Sequence, residues 1–463
     1  MSAESEQDRP AVVWFRDDLR VADNPALHAA AESGRPVLCV FVWDEESPGL
    51  RAPGGASRWW LHHSLAALSG ALERLGGRLT LLRGASERTI GGFLRDVDAG
   101  AVFWNRRYGA AERRIDEAVK TAARGDGREA ASFGANLLFE PWTIRTGQDT
   151  PFSVYTPFWR ACLAAPAPRK PGPAPRRLRA GAVPRSVGAV TLDELGLLPT
   201  HPDWAAGIRD AWEPGEEAAH AQLERFLSGD LAAYRRDRDV PGVDGTSRLS
   251  PRLRWGELSP HQVWHAAGEH RDRSTAEGAS TFLSELGWRE FAYHTLFAHP
   301  DMATVNIHRE YDSFPWPRLH PSALEAWQKG RTGIPLVDAG MRELWTTGVM
   351  HNRVRMVTAS FLIKNLLIDW RHGEQWFWDT LVDADPANNA FNWQWVAGSG
   401  ADAAPYFRVF NPELQREKFD PHGDYVRRWV PEWDTAEYPA PIVDLKETRQ
   451  AALAAYDVVK RSR

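Results

Sequence analysis

The run PVLCVFVW, residues 36–43, decides how the first third of the chain folds. Behind its proline it is apolar throughout and only as long as a strand, so it reads as a β-strand. Runs of the same kind recur on either side: AVVWF (11–15), RLTLL (78–82), AVFWN (101–105) and NLLF (136–139). Between them lie helical stretches such as ASRWWLHHSLAALSGALERLGG (56–77) and ERRIDEAVKTAAR (112–124). Strand and helix in turn predict an α/β domain, a Rossmann-like five-stranded parallel sheet, over residues 10–141. Neither G-x-G-x-x-G nor G-x-x-x-x-G-K-[ST] occurs there, so no ordinary dinucleotide or ATP cradle is marked.

Residues 164–188, AAPAPRKPGPAPRRLRAGAVPRSVG, are too rich in Pro and Gly to continue a helix or strand. They lie within an interdomain linker read at 142–200. From there the pattern is helical nearly throughout. EEAAHAQLERFLSGDLAAYRRDR (216–238), STFLSELGWREFAYHTLFA (280–298), PLVDAGMRELWTTG (335–348) and MHNRVRMVTASFLIKNLLIDW (350–370) all space apolar residues by three and four. A larger all-α domain is expected over 201–450.

The chain has 463 residues, 43% hydrophobic and 25% charged, which fits two or three folded domains. No run approaches the roughly 20 apolar residues of a bilayer span, so no membrane partner is expected. The start, MSAESEQDRPAVVWFRDD, shows no apolar signal-peptide core. With Cys39 and Cys162 as its only cysteines, the chain has no disulfide framework and no zinc or iron–sulfur ligand set, and no metal site is expected. A cytoplasmic, bacterial location follows. A net charge of −5 argues against indiscriminate coating of nucleic acid, yet leaves room for a local basic groove. Tryptophan is unusually frequent, at 22 residues. Most must pack the core; a few are available for a pigment or for stacking on bases.

Several clusters carry chemistry. TSRLSP (246–251) gathers hydroxyls and amides at a helix start, as an anion site does, although a plain N-cap at Thr246 or Ser247 is the simpler reading. Glu285 and Trp288, three apart, share one helical face and suit a pocket that stacks a ring and bonds its edge. Asn352 and Met356 share a stripe beside that of His351 and Arg355, with His351 read as structural. The stretch DADPANNAFNWQWVAGSGADAAPYFRVFNP (383–412) crowds acids, amides and indoles together. Its buried carboxylates need a partner, and Arg355 is the candidate for Asp383.

The order Tyr234, TSRLSP, ELGWREF (285–291), the run from Trp327 to Trp370, DADPANN (383–389), WQW (393–395) and DAAPYFRVFNP (402–412) closely resembles the photolyase/cryptochrome family. Within it the likeness is to the class I-like photolyases of cyclobutane pyrimidine dimers. VVWFRDDLRVADNPAL (12–27) looks like the family's first domain, and the likeness runs from about residue 10 to 435.

The resemblance implies FAD in the helical domain. Tyr234 and Thr246, Ser247, Arg248, Leu249 and Ser250 would hold its phosphates and ribityl chain. Asp383, Ala384 and Asp385 would reach flavin and ribose, with Arg355 bridging to Asp383. One asparagine would face flavin N5 and donate a hydrogen bond to it. The spacing back from Trp393 makes it Asn389, with Asn388 beside it. Trp288 and Trp395 would wall a pocket for a flipped-out dimer, Glu285 would bond its edge, and Asn352 and Met356 would touch it. Arg238, Arg353 and Gln415 would take flanking phosphates. Trp393, Trp370 and Trp316 would relay electrons from flavin to surface, with Trp376 and Trp378 as another branch. A second, antenna pigment (deazaflavin, folate or flavin) would sit in the α/β domain. Folate is put in doubt because Ala111 precedes Glu112 where relatives carry Asn-Glu. The partner implied is damaged DNA, bound by a monomer that associates with the nucleoid when so bound.

Three functions compete: a dimer photolyase, a cryptochrome photoreceptor, and a (6-4) photolyase. The last typically places histidines where this chain has Asn352 and Met356. Retention of the whole Glu–Trp, Asn–Met, Trp set favours repair over signalling.

Overall fold

Strand β1 (Ala11–Phe15) runs between β2 (Val37–Trp43) and β4 (Ala101–Asn105), every residue of the three buried. The computed structural model describes residues 8–461. With β3 (Leu79–Arg83) and β5 (Glu129–Phe133) these strands form one five-stranded parallel sheet in the order β3-β2-β1-β4-β5. Val13 stands in register between Cys39 and Phe103. Parallel neighbours need crossover helices. The first, Pro25–Glu32, starts where the Asn24 side chain accepts from the Leu27 amide with Pro25 at the first turn. The second, Gly55–Arg74, drives Trp59 and Trp60 into the sheet's core.

Two expectations change here. The fifth strand is EAASF at 129–133, while NLLF (136–139) is loop. Leu137, Leu138 and Phe139 are buried among residues of the helical domain instead. Glu290, itself wholly buried, takes the amides of Leu138 (2.9 Å) and Phe139 (3.2 Å), so the loop's backbone is satisfied without a strand partner. The linker read at 142–200 contains a helix, Tyr155–Ala164, whose Phe158 and Cys162 pack in that same cluster. Beyond it the Pro- and Arg-rich connector lies along the sheet, touching it through Val37–Ala180 and Leu81–Val190 bridges.

The remainder is helical. The 350–370 stretch, helical in its spacing, comprises Asn352–Ser360, a π-helical turn Phe361–Asn365, and the start of a new helix Trp370–Thr380 capped by Asp369. A last helix, Leu445–Arg461, packs against that π-helical turn.

The two domains meet across buried polar contacts. Glu257, fully buried, accepts from Trp60 Nε1 (3.0 Å) and the Gly215 amide (2.7 Å) and pairs with Arg252 (2.8 Å). Gly256 adopts φ +65°, and a Cβ there would lie 2.2 Å from the carbonyl of Asp17. Only glycine permits that approach.

Candidate functional site

The acid- and amide-rich stretch turns a corner between helices. Asp383 meets Arg355 Nη2 at 2.9 Å, and Arg355 Nε donates to the Met350 carbonyl at 2.7 Å. The other oxygen of Asp383 is buried and has no partner. Asp385 is already committed. Its Oδ1 accepts from the amides of Ala387 (2.8 Å) and Asn388 (2.7 Å) and from Asn388 Nδ2 (3.0 Å), and its Oδ2 from the Tyr293 hydroxyl (2.7 Å). Asp385 therefore shapes the start of helix Asn388–Ala397, and its carboxylate is occupied. The Ala384 carbonyl accepts from Arg254 Nε at 2.7 Å.

The two asparagines differ in environment. Asn388 is half-buried and bound into the turn, whereas Asn389 is buried. Asn389 Nδ2 donates to Glu374 Oε1 (2.8 Å) and to its carbonyl (3.0 Å). Both amide hydrogens are thereby used. The atom left to face a ligand is Oδ1, an acceptor, where the resemblance implied a donor.

The TSRLS segment departs from the helix-start reading. The helix it precedes, Ser250–Arg254, spans five residues and begins at Leu249, with no side-chain cap from Thr246 or Ser247. Arg248 sits at φ +52°, its guanidinium 4.4 Å over the Trp212 ring. Tyr234 is buried against Phe226 and Phe282, and burial pushes its hydroxyl pKa up.

Glu285 and Trp288 lie on the Ala276–Ala298 helix. One face of Trp288 is covered by Tyr155, 3.7 Å away and 11° from parallel, while Phe391 of helix Asn388–Ala397 approaches to 6.3 Å. Arg238 pairs with Glu285 as well as lying near Asp239. Arg353 pairs with Asp239 at 2.8 Å, lies 4.5 Å over Phe419, and points Nη1 toward Met356 Sδ at 3.9 Å. Asn352 is exposed, and Met356 and Trp395 are half-buried. His351 is the N-cap of Asn352–Ser360, accepting from the Arg353 amide; burial holds its pKa down at about 4, so the ring is neutral as an acceptor must be.

Beside these residues opens a groove of about 450 Å³ lined by Arg236, Asp239, Arg353, Arg408, Gln415 and Lys418. Arg236, Arg408 and Lys418 escaped the sequence reading. Lys418, three residues from Gln415 on helix Pro412–Phe419, was the one whose spacing could have shown it.

Trp393, Trp370 and Trp316 belong to one hydrophobic cluster. Trp393 packs on Phe377 (5.0 Å) and Trp327 (6.2 Å), and a Cβ on Gly373 would strike its ring at 2.1 Å. Trp370 Nε1 bonds Asn306, and Trp316 leans on Phe314 at 4.2 Å. Trp376 stacks on the exposed Trp345, 6.0 Å apart and 9° from parallel, whereas Trp378 bonds the Ala52 carbonyl across the domain boundary.

Residues 11–176 match the family described as DNA photolyase, and residues 282–436 that described as the FAD binding domain of DNA photolyase. The chain is 48% identical over 98% of both lengths to a deoxyribodipyrimidine photo-lyase of Agrobacterium fabrum. The chain belongs to the photolyase/cryptochrome family. It is also 36% identical to cryptochrome-1 of Arabidopsis thaliana, over 95% of this chain and 69% of that protein. Among solved structures, a bacterial class III photolyase from Agrobacterium tumefaciens superposes with a TM-score of 0.93 at 48% identity, each chain covered to 98%. The motifs had pointed to a class I-like photolyase; this neighbour is of class III. An archaeal photolyase from Sulfolobus tokodaii with two FAD molecules superposes at 0.81, with 29% identity and coverage of 97% and 99%.

The residues present fit a flavin. Asp383 offers a buried, partnerless acceptor, and Asn389 offers a second through Oδ1. Both can receive ring N–H groups in a site where an unmet polar atom is costly. A second polar slot, lined by Arg106, Tyr108, Glu112, Asn136, Arg289 and Tyr293, lies where the domains meet. The Tyr108 hydroxyl there is buried beside Glu140. Among the described residues no helix is long and apolar enough to cross a membrane.

Proposed function

We propose that the protein repairs cyclobutane pyrimidine dimers in DNA under blue light. One observation carries the reading: the groove with four cations is lined by Asp239, whose neighbour Arg238 pairs with Glu285, and Trp288, one turn along from Glu285, stands against the helix that presents Asn389. When bound, FAD supplies the photoexcited electron that opens the dimer. The chain's own residues do the rest.

Arg353, Arg408 and Lys418 take phosphates and fix the DNA in register, while Gln415 adds a neutral contact. The dimer leaves the stack to reach the pocket, since chemistry on a base cannot proceed inside a duplex. Trp288, stiffened from behind by Tyr155, offers its free face to the extruded bases, with Trp395 as the facing wall. Asn352 and Met356 would touch the dimer. Glu285 accepts from a base N–H. Because Arg238 is paired with it, a positive guanidinium stands within reach of the charge that develops on the dimer. Arg355 and Asp383 anchor the ring system, and Tyr234 with the 246–250 loop borders the rest of the cofactor. Trp393, Trp370 and Trp316 form a route for electrons to the surface, and the Trp376–Trp345 stack forms a second exit.

A blue-light receptor of cryptochrome type is the second reading, favoured by the 36% identity to cryptochrome-1. One experiment separates them. Purified protein should be coloured and release FAD on heating. A dimer-containing oligonucleotide should be restored under blue light and remain unchanged in darkness. A flavin-loaded protein that restores nothing in light would leave the receptor reading standing.

A further inference from the structure

Arg51 belongs to the loop between β2 and helix Gly55–Arg74, yet its guanidinium lies across the domain boundary. Its Nη1 and Nη2 meet Glu374 Oε1 (2.6 Å) and Oε2 (2.9 Å), and it sits 4.0 Å over the Trp378 ring. The pair is asymmetric: the Arg51 side chain is 35% exposed and that of Glu374 only 3%. The same Oε1 accepts one amide hydrogen of Asn389 (2.8 Å), and the Glu374 backbone carbonyl accepts the other (3.0 Å). A carboxylate clasped by a guanidinium can accept but not donate. Glu374 must therefore meet the nitrogen of Asn389, and the amide oxygen must point elsewhere.

We infer that Arg51 is a positioning residue for the flavin: by holding Glu374 as an acceptor it fixes Asn389 with Oδ1 toward the cofactor. The inference rests on the placement of Asn389 at the flavin proposed above. An acceptor at that point matches a ring nitrogen that carries a proton. Without Arg51 the buried Glu374 carboxylate loses its bidentate partner and is free to turn off Asn389, leaving the backbone carbonyl as the one acceptor that holds the amide. Held by one bond in place of two, the amide rotates and brings its NH2 toward the ligand. A residue of the first domain, open to solvent, thus sets which proton state of the flavin the second domain favours.

The test uses full-length, FAD-loaded protein and four variants. Arg51→Met keeps an apolar stem over Trp378 and removes only the charge. Arg51→Lys restores charge without the bidentate grip. Glu374→Gln gives the partner a donor of its own, and Asn389→Ala removes the amide. Each is equilibrated with a dye couple of fixed potential between pH 6 and 9, and the ratio of reduced to oxidised FAD is read from its absorbance. FAD affinity is measured separately by titrating flavin-free protein, and folding by thermal melting. Arg51→Met and Glu374→Gln should each shift the ratio about tenfold toward oxidised FAD, the effect of one misplaced hydrogen bond. Arg51→Lys should recover most of that shift, and FAD affinity should stay within about threefold of the parent. If Arg51→Met matches the parent while Asn389→Ala shifts the ratio, Arg51 has no such role and the flavin placement survives. If Asn389→Ala also matches the parent, the placement itself falls. If Arg51→Met loses FAD affinity or melting temperature in step with the ratio, its part is structural and the inference is overturned.

Discussion

On the proposed function, replacing Trp288 with alanine should remove one wall of the lesion pocket and leave the phosphate contacts untouched. The indole is stacked at 3.7 Å on Tyr155, whose hydroxyl is anchored on the Ser284 carbonyl at 2.7 Å, so the ring is held in one orientation. Base–aromatic stacking is worth about 1–3 kcal/mol per base on alanine substitution, which is about 5- to 150-fold in Kd. The loss should fall on dimer-containing DNA alone. Undamaged duplex, held through Arg353, Arg408 and Lys418, should bind within about twofold of the parent, with an unchanged salt dependence. Fluorescence anisotropy on matched damaged and undamaged oligonucleotides, at several salt concentrations, reads both quantities. Trp288→Phe should keep much of the discrimination because a ring still lies on Tyr155. An equal loss on both DNAs, or none on either, would refute the stacking argument and move the lesion pocket elsewhere.

Neutralising Arg408 and Lys418 together should reduce the slope of log K against log salt by about 2, without changing preference for the lesion, as titrations of both DNAs would show. Arg355→Ala leaves Asp383 buried without its ion pair, at a cost of about 3–5 kcal/mol in chemical unfolding, and the purified variant should carry less FAD per protein. Glu290→Gln tests the domain junction by pH. Burial raises the Glu290 carboxyl to about 7, so the folded state binds a proton that the unfolded state has released above its ordinary value. That stability is present at low pH and disappears as pH climbs from about 4.5 to 7. The variant should flatten the fall in melting temperature over that window and be the more stable form at pH 8; a parallel pair of curves would count against it.

Much of this molecule is legible along the chain. Local pattern suffices for the sheet's inner strands, because a strand buried on both faces reads as an unbroken apolar run; AVVWF and PVLCVFVW are found where expected. It fails at the edge. EAASF is a strand because β4 offers it a ladder, and NLLF is not one because helix Ala276–Ala298 takes its apolar side chains and Glu290 its amides. Neither fact is a property of the segment itself.

The candidate site divides in the same way. Spacing on one helix puts Glu285 beside Trp288, and composition singles out 383–395. Which atoms remain free did not follow. Asp383 keeps an unpartnered oxygen while Asp385, two residues on, has none left, and the difference lies in Tyr293 and a turn. Asn389 presents its oxygen because the carboxylate and backbone carbonyl of Glu374, from another helix, claim its amide hydrogens. Residue types and their periodicity set what chemistry the chain can hold. Hydrogen-bond capacity is finite and is shared out only when remote segments meet, so the tertiary structure alone decides which groups still face a ligand.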